Sequence, residues 1–320
     1  MTAGLTEIFV YAALGLGGVL IGGAVLIPGV VSLARHLGLP AAVVAVIVIA
    51  GGTSAPELLV SVDAALVGAP GIVWGNLVGS NIANILLVLG LGMLIQPVIA
   101  AAAIRGQLLV MGGLTLLVWG ICAAGGLTGA AGKLVSGGLI VGFAVWMVRL
   151  LRQPEGQSPL EASVDEAQLP VLRAGLYALG GIGCLVAGAD AFVWSGAELA
   201  RFWGWPESLI GMSIIAIGTS LPEIISVLAS LWQKRDDIAL GSVVGSNLFN
   251  FSLVLGAAGL AGPLPTDPVT LTMLMPVLAV ASFVLIGLGL LKQPLGVRSG
   301  LVFVGFYLAF LSLQLGAYNA

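Results

Sequence analysis

Two glutamates set the chemical problem. Glu57 closes the run Gly52-Thr53-Ser54-Ala55-Pro56-Glu57, and Glu223 closes Gly218-Thr219-Ser220-Leu221-Pro222-Glu223, 166 residues further along a chain of 320. Each lies in a long apolar stretch that contains no Lys or Arg to pair with it. An acid there costs about 2.5–3.5 kcal/mol even on the lenient insertion scale, and marks a functional site by default. If the two face each other, bound cations would remove both the burial and the repulsion penalties. On a helix, Thr53 and Glu57 share a face, with Ser54 one position aside. Pro56 has no N–H and crowds the carbonyl four residues back, so the Gly52 carbonyl loses its partner. Carbonyls from Ala50 to Thr53 are then expected to turn toward a cation, as broken transporter helices allow. Ala216, Gly218, Thr219, Ser220, Pro222 and Glu223 repeat the pattern.

Neutral oxygen comes from a second repeated run. Gly75-Asn76-Leu77-Val78-Gly79-Ser80-Asn81 returns as Gly241-Ser242-Val243-Val244-Gly245-Ser246-Asn247 at the same offset. Ser80 and Asn84 are one helical turn apart, as are Ser246 and Asn250. The candidate ligands are therefore Ala50, Thr53, Ser54, Glu57, Ser80, Asn84, Ala216, Thr219, Ser220, Glu223, Ser246 and Asn250. The set holds oxygen alone, with no His or Cys. Ca²⁺ takes 6–8 oxygens at about 2.3–2.6 Å, Mg²⁺ dehydrates reluctantly, and softer metals want nitrogen or sulfur. Na⁺ would use the same hydroxyls and carbonyls. Helix-to-helix hydrogen bonding accounts for single Ser or Thr residues, but not for two unpaired glutamates.

Other polar residues read differently. Asp63 and Asp190 match alanines in the other half, Ala229 and Ala24, and are expected at helix ends or facing water. Glu198 pairs with Arg201, His36 is a surface residue, and Trp203 and Trp205 anchor an interface. Cys122 and Cys184 have no metal spacing and read as packed thiols.

The elements that must position these residues are membrane helices. The chain is 59% hydrophobic and 8% charged, with 48 glycines, against about 25% charged residues in soluble domains. Its continuous apolar runs suit helices rather than a barrel. The predicted spans are 6–33, 40–67, 72–95, 104–126, 130–150, 172–200, 206–232, 238–261, 269–291 and 297–318. This is an all-α polytopic membrane protein of ten transmembrane helices. Residues 1–151 form a first five-helix repeat, 152–171 a linker, and 172–320 a second repeat. Arg35, Gly38 and Pro40 match Arg201, Gly204 and Pro206, so the register holds well beyond the motifs. Five spans is an odd number, so the second repeat enters from the opposite side, giving two inverted halves. Nine of the eleven basic residues fall on one side of this layout, all but Lys133 and Arg201. The positive-inside rule places both termini outside the cytoplasm and the 152–170 loop within it. The N-terminus, with Glu7 and no basic residue, does not resemble a cleaved signal peptide.

At these residues the chain resembles the cation/Ca²⁺ exchanger superfamily, which includes the Na⁺/Ca²⁺ exchangers. Its two alpha-repeats look like Gly52–Glu57 with Gly75–Asn84, and Gly218–Glu223 with Gly241–Asn250. With no large regulatory domain, the chain looks like a compact prokaryotic-type member. The resemblance implies four clustered cation positions. Glu57 and Glu223 would be the central Ca²⁺ ligands, helped by the Thr53 and Thr219 carbonyls. Ser54, Ser80, Ser220, Ser246 and the Ala50 and Ala216 carbonyls would serve Na⁺, and Asn84 and Asn250 would flank the centre. It also implies that the first helix of each half slides across a fixed core. Some members carry Asp where this chain has Asn250, so only two site carboxylates remain, and K⁺ co-transport is disfavoured.

The resulting expectation is a secondary antiporter, not an enzyme, that exchanges Na⁺ for Ca²⁺ in a bacterial-type inner membrane. It would work as a monomer in the lipid bilayer, with no cofactor and no nucleic-acid partner. One Ca²⁺ or two H⁺ neutralise two carboxylates, whereas three Na⁺ leave a charge of +1, so H⁺/Ca²⁺ exchange is the nearest alternative. A cation channel is a further one. No nucleophile with a general base appears in the spans, which argues against an intramembrane enzyme.

Overall fold

The computed structural model describes residues 4–100, 102–152, 169–204, 220–291 and 294–318. Helices dominate, because backbone polar groups in lipid must be satisfied within their own segment. The first half runs α1 (Leu5–Leu37), α2 (Ala41–Thr53), α3 (Ala55–Leu66), α4 (Pro70–Ile95), α5 (Ala102–Ala123) and α6 (Gly129–Leu151). The second runs α7 (Val171–Phe202), α8 (Leu221–Trp232), α9 (Asp236–Ala261), α10 (Thr270–Leu290) and α11 (Val297–Tyr318). Eight of these are long and apolar enough to cross a membrane, and α2 with α3 forms a ninth span bent by 47°. The tenth predicted span, 206–232, is described only from Ser220 onward, as α8. The linker residues 153–168 lie outside the described residues.

The halves are related by inversion. Gly15 packs at Phe192, Gly22 at Gly181 and Leu185, and Gly29 at Ala178. As α1 ascends, its partner α7 descends, although each is the other's repeat equivalent. A Cβ on Gly15, Gly22 or Gly29 would sit 2.6, 2.8 or 2.6 Å from α7 backbone atoms. Glycine there permits backbone-to-backbone approach, the mode small residues allow in membranes.

Local backbone repeats with the sequence. Ser54 (φ −83°, ψ 6°) separates α2 from α3, and Ser220 (φ −89°, ψ 5°) takes the same backbone conformation at the start of α8. Gly38 and Gly204 take positive φ at equivalent helix ends. Gly68 does so with Lys234 as its counterpart, at φ 58°. Widened π turns at Asn84–Val88 in α4 and Asn250–Val254 in α9 also coincide under the repeat. Two short antiparallel contacts join the halves: β1 (Gly126–Leu127) with β2 (Leu264–Pro265), and Val98 with Leu295.

Most of α4 and nearly all of α9 are buried, which makes them the inner pair. Gly241 and Gly245 of α9 pack against Ala42, Val46 and Ala50 of α2. Helices α1, α6, α7 and α11 are the outer ones, with much of their surface exposed. Cys184 departs from expectation: it is exposed on α7, whereas Cys122 is buried. The outer surface of α7 is left uncovered, and the Cys184 side chain lies on it.

Candidate cation site

The site forms where the starts of α3 and α8 meet two widened helices. In the first half the break falls at Ser54, between α2 and α3, and puts Glu57 in the first turn of α3. Glu223 occupies the same place in α8. Both are 2% exposed, and the two carboxylates lie within electrostatic reach of each other. Thr53, fully buried, faces the Glu223 carboxylate from the other half. Among the described residues neither glutamate has a basic partner: the ion pairs are Glu198–Arg201 and Asp237–Arg235.

The remaining described candidates lie on segments that pack against α3 and α8. Ser54, Ser80, Asn84, Ser220, Ser246 and Asn250 are all buried. The π turn that begins at Asn250 packs against α3, which carries Glu57, and the turn that begins at Asn84 packs against α8, which carries Glu223. Ala216 and Thr219 lie outside the described residues. Several oxygens here have no hydrogen-bond partner: Ser54 Oγ, Ser246 Oγ, Asn84 Oδ1, Asn250 Oδ1 and one oxygen each of Glu57 and Glu223. A buried oxygen without a partner is costly, and six gathered in one place fit a cation that supplies the missing contacts.

One expected ligand behaves differently. The Ala50 carbonyl is not released by the break, since it accepts the Ser54 N–H at 3.0 Å. Pro56 removes the donor that would have served Gly52, whereas the donor for Ala50 is Ser54. Only the second lone pair of Ala50 is left for an ion.

The inner asparagines form an arrangement the sequence reading missed. Asn81 and Asn247 each donate through Nδ2 to the other's backbone carbonyl, at 3.4 Å in both directions. Asn84 Nδ2 donates to Asn247 Oδ1 at 3.0 Å, and Asn250 Nδ2 donates to Asn81 Oδ1 at 3.0 Å. Residue 81 pairs with 250 and 84 with 247, so α4 and α9 also cross in opposite directions. The signal was present in the repeat, because Asn81 and Asn247 stand one residue past Ser80 and Ser246. Two more residues add to the site's frame. Asn76 donates to the Glu57 carbonyl at 3.3 Å and to Ser61 Oγ at 2.9 Å. Ser242, one turn before Ser246, is fully buried and its hydroxyl has no partner.

The other acids stay apart. Asp63 and Asp190 are exposed. Asp237 is paired with Arg235, and Asp267 holds the start of α10 through the Thr270 N–H at 2.8 Å. Among the described residues no three His, Cys, Asp or Glu side chains cluster, so the site is two acids in a shell of neutral oxygen. It suits hard cations that accept hydroxyl, amide and carbonyl ligands.

Comparison with known proteins agrees with this geometry. The family model for sodium/calcium exchanger protein matches residues 7–152 and again 174–316. The putative antiporter CaxA of Alkalimonas amylolytica is 36% identical over 240 residues, covering 73% of this chain and 75% of the relative. The sodium/calcium exchanger MaX1 of Methanosarcina acetivorans is 28% identical over 317 residues, with 88% and 90% covered. A solved structure of the sodium-calcium exchanger NCX_Mj superposes with a TM-score of 0.85 at 27% identity, over 97% of this chain and 100% of that one. The chain, a multi-pass membrane protein with two inverted halves, belongs to the sodium/calcium exchanger family.

Proposed function

We propose that the chain is a secondary antiporter that exchanges Na⁺ for Ca²⁺ by alternating access through the paired-glutamate site. One observation carries the reading: Glu57 and Glu223 are buried in reach of each other, without basic partners, among oxygens that lack hydrogen bonds. Either Ca²⁺ or a set of Na⁺ ions relieves that arrangement, and both cannot occupy it together. Competition for the same carboxylates couples the two fluxes. The site residues, with Ala216 and Thr219 included by the repeat, belong to this proposal. So do the exchanger names carried by MaX1 and NCX_Mj, transferred here as function.

The excess of Arg and Lys on one side of the layout supports an inner-membrane orientation with both termini outside and the 152–170 loop inside. Under this proposal α1 and α7, the first helices of the two repeats, move against the remaining helices as a core.

The test is ⁴⁵Ca²⁺ uptake into proteoliposomes loaded with Na⁺, beside vesicles carrying a pH gradient and no Na⁺. Uptake that needs internal Na⁺ and disappears in Glu223→Gln is the expected result. H⁺/Ca²⁺ exchange is the second reading, favoured by the neutral Asn84 and Asn250, which leave two carboxylates that two protons neutralise. Uptake driven by the pH gradient alone selects it. In either case Ca²⁺ affinity falls as pH falls, because metal-ligating carboxylates must be deprotonated.

A further inference from the structure

The four inner asparagines form a closed relay with a fixed direction. Asn81 Nδ2 donates to the backbone carbonyl of Asn247. A carbonyl can only accept, so the NH₂ end of Asn81 must point there, whichever way the amide is first drawn. Its other end, Oδ1, must then be the acceptor that meets Asn250. Asn250 is obliged to donate through its own Nδ2, which leaves its Oδ1 unpartnered and buried. The mirror path runs from the Asn81 carbonyl through Asn247 to Asn84, and leaves Asn84 Oδ1 in the same condition. An amide free to rotate by 180° would instead offer NH₂ to the site half the time, and NH₂ repels a cation.

We propose that Asn81 and Asn247 are positioning residues that lock the amides of Asn250 and Asn84 so that each turns an oxygen toward the transported ion. The inference rests on the proposed cation site and deepens it. The two halves act crosswise, since each outer asparagine is oriented by the inner asparagine of the opposite repeat. The relay therefore also joins α4 to α9 at the point where the site is built. Partners that orient a metal ligand typically account for about 10–100-fold in affinity, so the expected loss is of that size.

Asp gives the discriminating variant, because its carboxyl keeps the oxygen that accepts the Asn250 amide whether or not it is ionised, while Leu offers none. The readout is the apparent Ca²⁺ KM of exchange in proteoliposomes, taken as a ratio to wild type at one pH. Glu57 and Glu223 remain in every variant, so the ratio removes their own proton competition. Asn81→Leu is expected to raise KM about 10–100-fold while kcat changes less. Asn81→Asp is expected to hold KM at or below the wild-type value. Asn247→Leu and Asn247→Asp should behave the same way through Asn84. Wild-type KM in Asn81→Leu overturns the proposal, as does a KM in Asn81→Asp raised as far as in Asn81→Leu. If Asn81→Leu fails to fold, Asn81→Asp decides, and a KM raised about tenfold or more there overturns the proposal. Wild-type protein that transports normally beside an unaffected Asn81→Leu removes the relay alone, whereas wild-type protein that binds neither Ca²⁺ nor Na⁺ removes the site as well.

Discussion

At the scale of single residues, Glu57 and Glu223 are placed at a cost that packing does not offset. Each is buried in a membrane-spanning segment with no ion pair, and removing a charge's partner in such surroundings is strongly unfavourable. A bound cation is the compensating partner, so binding must show as stability. Detergent-solubilised wild type should melt higher in Ca²⁺, with about 2.7 kcal/mol gained when the ion is at a hundred times its dissociation constant. Glu57→Gln should lose that shift, and its Ca²⁺ affinity should fall by about a hundredfold or more, within the range that ligand charge sets across calcium sites. A Ca²⁺-dependent melting shift preserved in Glu57→Gln would remove this glutamate from the site. The residue identities were legible because the motif occurs twice. The roles of Asn81 and Asn247 were not: both repeat in the sequence, but which residue of the other half each one bonds is not written in either half's own spacing.

Among the elements, contrasting kinds of contact distinguish the α1–α7 pair, the one that moves under the proposed alternating access, from the other helices. Helices α1 and α7 meet backbone to backbone through Gly15, Gly22, Gly29, Gly181 and Gly188. Toward the core the contacts involve side chains: a Cβ on Gly23 of α1 would lie 2.9 Å from Ala229 Cβ of α8, and one on Gly52 of α2 would meet the Ile182 side chain. Interlocked backbones move together, while side-chain surfaces can slide. A disulfide needs a Cβ–Cβ separation of about 3.5–4.5 Å, reachable at Gly23 and Ala229 by a small shift. In a background with Cys122→Ser and Cys184→Ser, oxidised Gly23→Cys/Ala229→Cys should stop exchange and recover it on reduction. Unchanged transport after complete cross-linking would mean that α1 does not slide on α8. For the spans that the structure describes throughout, positions were legible from apolar runs to within a few residues. The π turns at Ala45–Ile49, Asn84–Val88 and Asn250–Val254 were not, because the extra residue in a widened turn answers to tertiary packing and has no composition of its own.

Across the whole molecule, inversion turns equivalent residues into opposites. Helices α4 and α9 cross antiparallel, with Asn81 against Asn250 and Asn84 against Asn247. The centre of the site therefore lies between those asparagines. Ser80 is displaced from it toward the Pro70 end of α4, and Ser246 toward the Asp236 end of α9. Those ends point to opposite faces of the membrane. Under the proposed exchange, an ion arriving from one face meets Ser80 first and an ion from the other meets Ser246. Removing one hydroxyl ligand costs about 1 kcal/mol, or about fivefold in affinity. Ser80→Ala should weaken the apparent Na⁺ affinity about fivefold when Na⁺ is applied at the Pro70 face, and much less from the other. Ser246→Ala should show the reverse. The measurement is the Na⁺ dependence of Ca²⁺ flux from each side of vesicles in which the protein is uniformly oriented. Equal effects of either variant from both faces would mean that the two halves share one symmetric entry, and the link between the inverted repeat and alternating access would fail.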